Sequence, residues 1–119
     1  MVDEPFNPRG FLHLAEQLVQ YDPTEAQYRT AIGRSYYAML HVLLAKVKVK
    51  GGRGVHARLA RTLLKQNRPV GEQLATLRRL RDIADYQLWP METTDRNWRE
   101  NWEQAQLAVR RLEKKIQWM

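Results

Sequence analysis

Apolar and polar positions along the 119-residue chain predict helices and no strands. The segment from Arg34 to His41, with its flanks, carries apolar or aromatic residues on nearly every side of a helical wheel. A soluble helix that is apolar all round is buried. We therefore expect a central second helix that starts at Asp22-Pro23, with Asp22 as its cap and Glu25 completing a capping box. It is expected to run to about Val47 and to be stopped by Gly51-Gly52.

Four further helices are predicted around it. The first starts at Asn7-Pro8 and ends at Tyr21, with core positions Phe11, Leu14, Ala15 and Leu18. The third runs from about Val55 to Gln66, with core positions Val55, Leu59 and Leu63. The fourth runs from about Val70, after a break at Pro69, to Leu88, with core positions Leu74, Leu77, Leu80, Ile83, Ala84 and Leu88.

The fifth helix is predicted to be capped by Asp95 and has the most regular apolar spacing. Its apolar positions alternate in steps of four and three: Trp98, Trp102, Ala105, Val109, Leu112, Ile116 and Met119. A core-facing helix is favoured over a coiled-coil seam, because the pattern lasts only about three heptads. The fold prediction is an all-α, up-and-down bundle of about five helices, forming a single domain over residues 1–119.

Two adjacent tyrosines, Tyr36 and Tyr37, point in different directions from the central helix. Each phenol needs a hydrogen-bond partner if buried, and Arg34 and His41 are the nearest candidates within the segment. The pair is either a core packing pair or one wall of a site. Gly33, which costs about 1 kcal/mol relative to alanine in a helix, is expected to permit a close helix crossing.

Composition excludes several classes of chemistry. The chain has no cysteine, so disulfides, thiolate zinc sites and cysteine nucleophiles are excluded. The three histidines, His13, His41 and His56, show no paired spacing on one helix face, so no metal site is expected. No cofactor motif is present. No apolar run is long enough for a membrane span, and the start of the chain lacks a signal-peptide pattern, so a cytoplasmic protein without membrane contact is expected.

Charge is distributed unevenly along the chain. Lys and Arg outnumber Asp and Glu by 20 to 13, and no acidic residue occurs from Ala26 through Gly71. Within that stretch, one side of the third helix and its end carry a basic stripe: Arg58, Arg61, Lys65 and Arg68. Like charges at this spacing repel. The stripe is therefore either a contact surface for nucleic acid, nucleotide or an acidic protein, or a solvated face.

A second polar constellation lies on the fourth helix. Arg81 and Asp85 are four residues apart and share a face beside the apolar positions, with Tyr86 next in sequence. This pair is either an intrahelical ion pair or part of a binding site in which arginine meets carboxylate or phosphate.

These two helical segments resemble a known family. Arg34-Ser-Tyr-Tyr-Ala-Met-Leu-His41 is similar to the Arg-x-Tyr-Tyr-Ala-Met-Phe-His pattern of HEPN domains (higher eukaryote and prokaryote nucleotide-binding). Arg81-Asp-Ile-Ala-Asp-Tyr86 resembles the Arg-x-x-Ala-Asp-Tyr signature of a small stand-alone branch, and His56 matches a histidine common there. The resemblance covers nearly the whole chain.

The resemblance implies a helical bundle that usually forms a homodimer. Small members are often encoded beside a minimal nucleotidyltransferase, as a toxin–antitoxin pair. In ribonuclease branches an arginine and a following histidine on the fourth helix form a cleft with their dimer mates. Arg81 matches that arginine, Tyr86 stands at the histidine position, and Leu88 stands where some toxins carry a modified tyrosine.

Three interpretations follow. The preferred one is a dimeric protein that binds nucleotide or RNA without efficient cleavage, because an ordinary tyrosine phenol, with a pKa of about 10, is a poor base at neutral pH. The second is an active RNase toxin that uses Arg81, with His56 as helper. The third is a protein-binding module that docks an acidic antitoxin or nucleotidyltransferase. The candidate catalytic residues are Arg81, Tyr86 and His56; the candidate binding residues are Arg34, Tyr37, Asp85, Arg58, Arg61, Lys65 and Arg68.

Overall fold

A computed structural model of the chain describes residues 6–88 and 97–119. It contains five helices in chain order: α1 (Gly10–Leu18), α2 (Glu25–Val47), α3 (Val55–Gln66), α4 (Arg68–Tyr86) and α5 (Trp98–Ile116). The described residues form no strand, so the predicted all-α helical bundle is confirmed. The residues predicted to cap the fifth helix and to end the fourth, Asp95 and Trp89-Pro90, lie outside the described part.

The central position of α2 is also confirmed. It packs against each of the other four helices, most closely against α1, α4 and α5. Its 23 residues give it a length of about 35 Å at 1.5 Å per residue, close to the 39 Å longest dimension of the described structure. Ten of its residues are buried, and they fall on most sides of the helix rather than on one stripe. This explains why its sequence is apolar all round.

The predicted end of α2 at about Val47 is confirmed, but its N-cap and the residue that stops it differ from the prediction. Thr24, not Asp22, is the N-cap: its hydroxyl accepts a hydrogen bond from the Gln27 backbone N–H, and the Gln27 side chain accepts one from the Thr24 backbone N–H. Asp22 instead adopts a left-handed conformation with φ of 40° in the preceding turn. At the other end, Lys48 is the C-cap in a left-handed conformation with φ of 57°, so the helix stops before the chain reaches Gly51-Gly52.

The predicted core is largely confirmed, with exceptions on α1 and after α4. Leu14 is 43% exposed and Leu88 is 80% exposed, whereas both were expected to be buried. Leu14 is exposed because α1 has only nine residues and a single buried one, Ala15, so its apolar face is narrow. Leu88 is exposed because α4 ends at Tyr86, so the helical spacing that predicted its burial no longer applies.

The first turn of α4 shows a further difference. Pro69 was predicted to break the chain before the helix, but it lies within the first turn, where a missing N–H costs nothing. Asn67 is the N-cap, and its side chain accepts a hydrogen bond from the Val70 backbone N–H. In α5 the N-cap is Asn97, whose side chain accepts from the Glu100 backbone N–H.

Two glycines differ in how closely their neighbours approach. A Cβ on Gly33 would lie 3.6 Å from the Asp85 carboxylate on α4, an ordinary van der Waals distance, so the crossing predicted there is not tight. A Cβ on Gly71 would lie 3.1 Å from the Leu64 side chain and 3.2 Å from the Leu64 backbone nitrogen. The tight approach is therefore at Gly71, where the start of α4 meets the end of α3.

These distances predict opposite effects for two matched substitutions. Gly33→Ala should stabilise the protein by up to about 1 kcal/mol, because alanine has the higher helix propensity and the site has room. Gly71→Ala should destabilise it, because the Leu64 backbone cannot move away from the new methyl group cheaply. Urea unfolding followed by circular dichroism measures both changes. Destabilisation by Gly33→Ala equal to that of Gly71→Ala would contradict the packing described.

Candidate functional site

A groove lies between α3 and α4. Its volume is about 830 Å³. Tyr36 of α2 contributes to its wall, His56 and Ala60 come from α3, and the rest of the lining comes from α4 and the residue after it: Gly71, Leu74, Ala75, Arg78, Arg79, Arg81, Asp82, Ile83, Tyr86 and Gln87. We refer to it as the α3–α4 groove. The three candidate catalytic residues, Arg81, Tyr86 and His56, all line it.

Arg81 is a largely enclosed charged group at the groove. Its side chain is 11% exposed. One terminal nitrogen donates to the Asp82 carboxylate at 2.9 Å, and the other donates to the Tyr37 hydroxyl at 2.7 Å. Its Nε lies 3.0 Å from the Asp85 carboxylate. This last contact is an ion pair rather than a well-aligned hydrogen bond, since Nε is buried without a hydrogen-bond partner.

This arrangement fixes the charge and orientation of Arg81. Burial disfavours the charged guanidinium, but hydrogen bonds to Asp82 and Tyr37 and the nearby Asp85 carboxylate outweigh it and raise the pKa of Arg81. Arg81 is therefore permanently charged at neutral pH. Its two hydrogen bonds use one N–H on each terminal nitrogen, so each keeps a second N–H for a further acceptor.

Three tyrosine rings surround the Arg81 guanidinium. Its central carbon lies 5.6 Å from the Tyr36 ring centroid, 5.3 Å from that of Tyr37 and 5.7 Å from that of Tyr86. Aromatic faces at this distance attract a cation. Tyr86 is 71% exposed, so it forms the outer edge of the groove, whereas Tyr36 is 1% exposed.

The predicted hydrogen-bond partners of the tyrosines are wrong. Arg34 is exposed and its guanidinium lies over the Phe11 ring at 5.7 Å, and His41 is also exposed. Tyr37 instead pairs with Arg81 on α4, and Tyr36 forms a hydrogen bond of 2.5 Å with Nδ1 of His56 on α3. The partners come from neighbouring helices, which the local sequence does not reveal. Tyr36 is thus both a core residue and a wall of the groove.

The Tyr36–His56 hydrogen bond engages one of the two imidazole nitrogens, Nδ1. Burial raises the pKa of Tyr36 to about 12, so its hydroxyl stays protonated at neutral pH and can donate. Burial, and secondarily the charges of Arg78 and Arg81, lower the pKa of His56, which keeps the imidazole neutral at neutral pH. With the proton on Nε2, Nδ1 accepts from the Tyr36 hydroxyl; with the proton on Nδ1, the same nitrogen donates to the hydroxyl oxygen.

Two groove residues, Arg78 and Arg79, were not predicted. They lie on α4 one turn before Asp82 and one turn after Ala75, on the face that lines the groove. They lie beyond the acid-free stretch that ends at Gly71, so the charge pattern did not single them out. The signal that could have found them is their three- and four-residue spacing from Ala75 and Asp82.

The remaining predicted binding residues lie away from the groove. Asp85 pairs with Arg81 but does not line the cavity, and Arg34 lies on another side of α2. The predicted basic stripe is divided. Arg58, Arg61 and Lys65 border a separate pocket on α3, whereas Arg68 lies 3.8 Å from Glu72 in an exposed ion pair.

The described residues include no group of three His, Asp or Glu side chains placed to hold a metal ion. None of the helices formed by residues 6–88 and 97–119 combines the length and apolar composition needed to cross a membrane.

Comparison with known proteins adds no further constraint. No family model matches the chain, and neither the curated proteins nor the solved structures contain a significant match.

The environment of His56 predicts a pH dependence of stability. Since the pKa of His56 is lowered on folding, the unfolded chain binds a proton there more readily than the folded protein. Its contribution to stability is present above the unfolded pKa of about 6.5 and is lost as pH falls towards the folded pKa. The groups facing it from α2 and α4 are Tyr36, Arg78, Arg81 and Asp82.

Urea unfolding at pH about 7.5 and about 5.5 measures this effect. His56→Gln should reduce the difference in unfolding free energy between the two pH values, because glutamine can accept from the Tyr36 hydroxyl but does not titrate. His41→Gln removes an exposed histidine of α2 and is the matched control, which should leave the difference unchanged. An equal effect of both substitutions would contradict the assignment.

Proposed function

We propose that the α3–α4 groove binds the phosphate of a nucleotide or of RNA. The observation that carries the proposal is the arrangement of charge: three arginines, Arg78, Arg79 and Arg81, line one cavity with a single carboxylate, Asp82. Arg81 is held in place by fixed partners, and a preoriented guanidinium suits bidentate binding of phosphate. The exposed ring of Tyr86 at the edge offers a face on which a base could stack.

The wider proposal follows the resemblance to HEPN domains. We infer a homodimer that acts in a toxin–antitoxin-type system, with a nucleotidyltransferase-type antitoxin as partner. The net charge of +7 supports an acidic ligand but does not distinguish RNA from an acidic protein surface. The groove favours RNA or nucleotide over a purely protein-binding module, because its arginines lie in a concave site with aromatic walls rather than on a flat face.

Binding of a labelled single-stranded oligoribonucleotide tests the proposal by fluorescence anisotropy at several salt concentrations. Arg78→Gln/Arg79→Gln should weaken binding and reduce the slope of log K against log salt concentration by about 1.4, which is the loss of two phosphate contacts to a single strand. Arg110→Gln/Arg111→Gln removes the same charge from exposed positions of α5 and is the control.

The slope of the control variant should remain close to that of the wild type. Equal effects of the two double variants would show that only overall charge matters, and would overturn the groove as the site. Absence of any RNA or nucleotide binding by the wild type would favour the protein-binding interpretation.

RNA cleavage is a second candidate function, because His56 and Arg81 line the same groove. The available groups nevertheless argue against efficient cleavage. In-line cleavage needs a base to remove the 2′-hydroxyl proton and an acid to protonate the leaving oxygen, and the described residues of the groove lining include a single histidine, His56. Burial lowers the pKa of His56, which makes it a poor acid, and the Tyr36 hydroxyl, whose pKa is raised to about 12, stays protonated and cannot act as a base. Arg81 stays protonated and can only stabilise negative charge.

We therefore expect little or no cleavage in an assay with labelled RNA and purified wild-type protein. Arg81→Ala and His56→Ala are the test variants, and circular dichroism verifies that each is folded. A trace of cleavage that persists in both variants would indicate a contaminating nuclease. Robust cleavage by the wild type that disappears in either folded variant would make RNase activity the function.

A further inference from the structure

A second concave basic site lies on α3, on the face opposite the α3–α4 groove. We call it the outer pocket; it is lined by Val49, Lys50, Arg58, Arg61, Thr62 and Lys65, with a volume of about 390 Å³. His56 and Ala60 project into the groove, whereas Arg58, Arg61 and Lys65 are roughly half a helical turn away from them. The outer pocket is therefore a separate site and not an extension of the groove.

The outer pocket has an excess of positive charge. Four of its six lining residues are Lys or Arg, and none is acidic. Among the described residues, none of its cations forms an ion pair with a carboxylate. Arg58, Arg61 and Lys65 repeat at three- and four-residue spacing, so they repel one another along the helix. An anion bound between them would relieve this repulsion.

Arg58 is held in a fixed position within the outer pocket. One terminal nitrogen donates to the backbone carbonyl of Lys50 at 2.8 Å and to that of Gly51 at 3.1 Å. These bonds attach the loop after α2 to α3 and use both N–H groups of that nitrogen. The Nε of Arg58 is buried and has no hydrogen-bond partner within the described structure. A buried N–H donor without a partner costs free energy.

We propose that the outer pocket is a second phosphate-binding site. Arg58 provides a fixed guanidinium, and Arg61 and Lys65 provide charges that can close around the phosphate oxygens. The phosphate can be inorganic phosphate or one phosphate of the backbone of a longer RNA. In the second case, the proposal deepens the proposed function: the ligand is then a polynucleotide that reaches both faces of α3, rather than a mononucleotide confined to the groove.

Binding to three probes distinguishes these cases: inorganic phosphate, an oligoribonucleotide of about 4 nucleotides and one of about 16 nucleotides. The variant Arg61→Gln/Lys65→Gln tests the outer pocket and leaves Arg58, which attaches the loop, in place. Arg78→Gln/Arg79→Gln tests the groove, and Arg110→Gln/Arg111→Gln is the charge control. The NMR signal of the Arg58 Nε–H reports directly on the outer pocket.

We expect inorganic phosphate to shift the Arg58 Nε–H signal in the wild type and in the groove variant but not in the Arg61→Gln/Lys65→Gln variant. If RNA uses the site, that variant should weaken binding of the long oligoribonucleotide, reduce its salt slope by about 1.4, and leave the short one unchanged. A shift by phosphate without this effect assigns the pocket to free phosphate.

Failure of this inference differs from failure of the proposed function. If the Arg58 signal responds to neither phosphate nor RNA, and the Arg61→Gln/Lys65→Gln variant binds the long probe as the charge control does, the outer pocket is not a phosphate site. The groove proposal then stands or falls on the Arg78→Gln/Arg79→Gln variant alone. If that variant behaves as the control while the Arg58 signal responds, the outer pocket is retained and the groove is rejected.

Discussion

The positive charge of Arg81, enclosed between α2 and α4, is the constraint on which the candidate site depends. A guanidinium that is 11% exposed would be costly without compensation. Asp82 and Asp85 from its own helix and Tyr37 from α2 supply that compensation at 3.0 Å or less. Removing any of these partners would leave a charge or a polar group unsatisfied, so the side-chain identities at the crossing of α2 and α4 are interdependent. The geometry of the groove therefore depends on this crossing.

A consequence of that compensation is a division of roles among the arginines. Arg81 uses much of its hydrogen-bonding capacity within the protein itself, so its main effect is to hold a positive charge at a defined place. Arg78 and Arg79 line the same cavity, and the described ion pairs do not include them. Their charge is therefore the part of the groove most available to a ligand. One arginine held in place, together with two whose charge is available to a ligand, suits the binding of an anion better than three arginines in purely structural ion pairs would.

Much of the helical architecture follows from local sequence patterns. The bounds predicted for α3, Val55 to Gln66, coincide with the observed ones, and the apolar spacing of α5 correctly identifies Ala105, Val109, Leu112 and Ile116 as buried. Helix ends were predicted less well, because several residues near an end can cap it. At the start of α2, both Asp22 and Thr24 are residues that can cap a helix. Thr24 is the N-cap because the Gln27 side chain completes a capping box with it.

The site was predicted in part, for a related physical reason. Arg81 and Asp85 were paired correctly because their spacing within one helix determines the contact. The partners of Tyr36 and Tyr37 depend on how three helices pack, and no spacing within α2 contains that information. His56, Tyr36 and Arg81 meet only because α3 and α2 both pack against α4.

The arrangement of α3 has a consequence for motion. Only two of its side chains, Leu59 and Leu63, are fully buried, and it packs mainly against α4. A helix with so few buried contacts opens locally at a lower free-energy cost than the central α2. A ligand on either face of α3 would hold the helix in place, so a second ligand on the other face would lose less conformational entropy on binding. Binding at one face of α3 can thus favour binding at the other, because both ligands order the same helix. This coupling needs no change in the average structure.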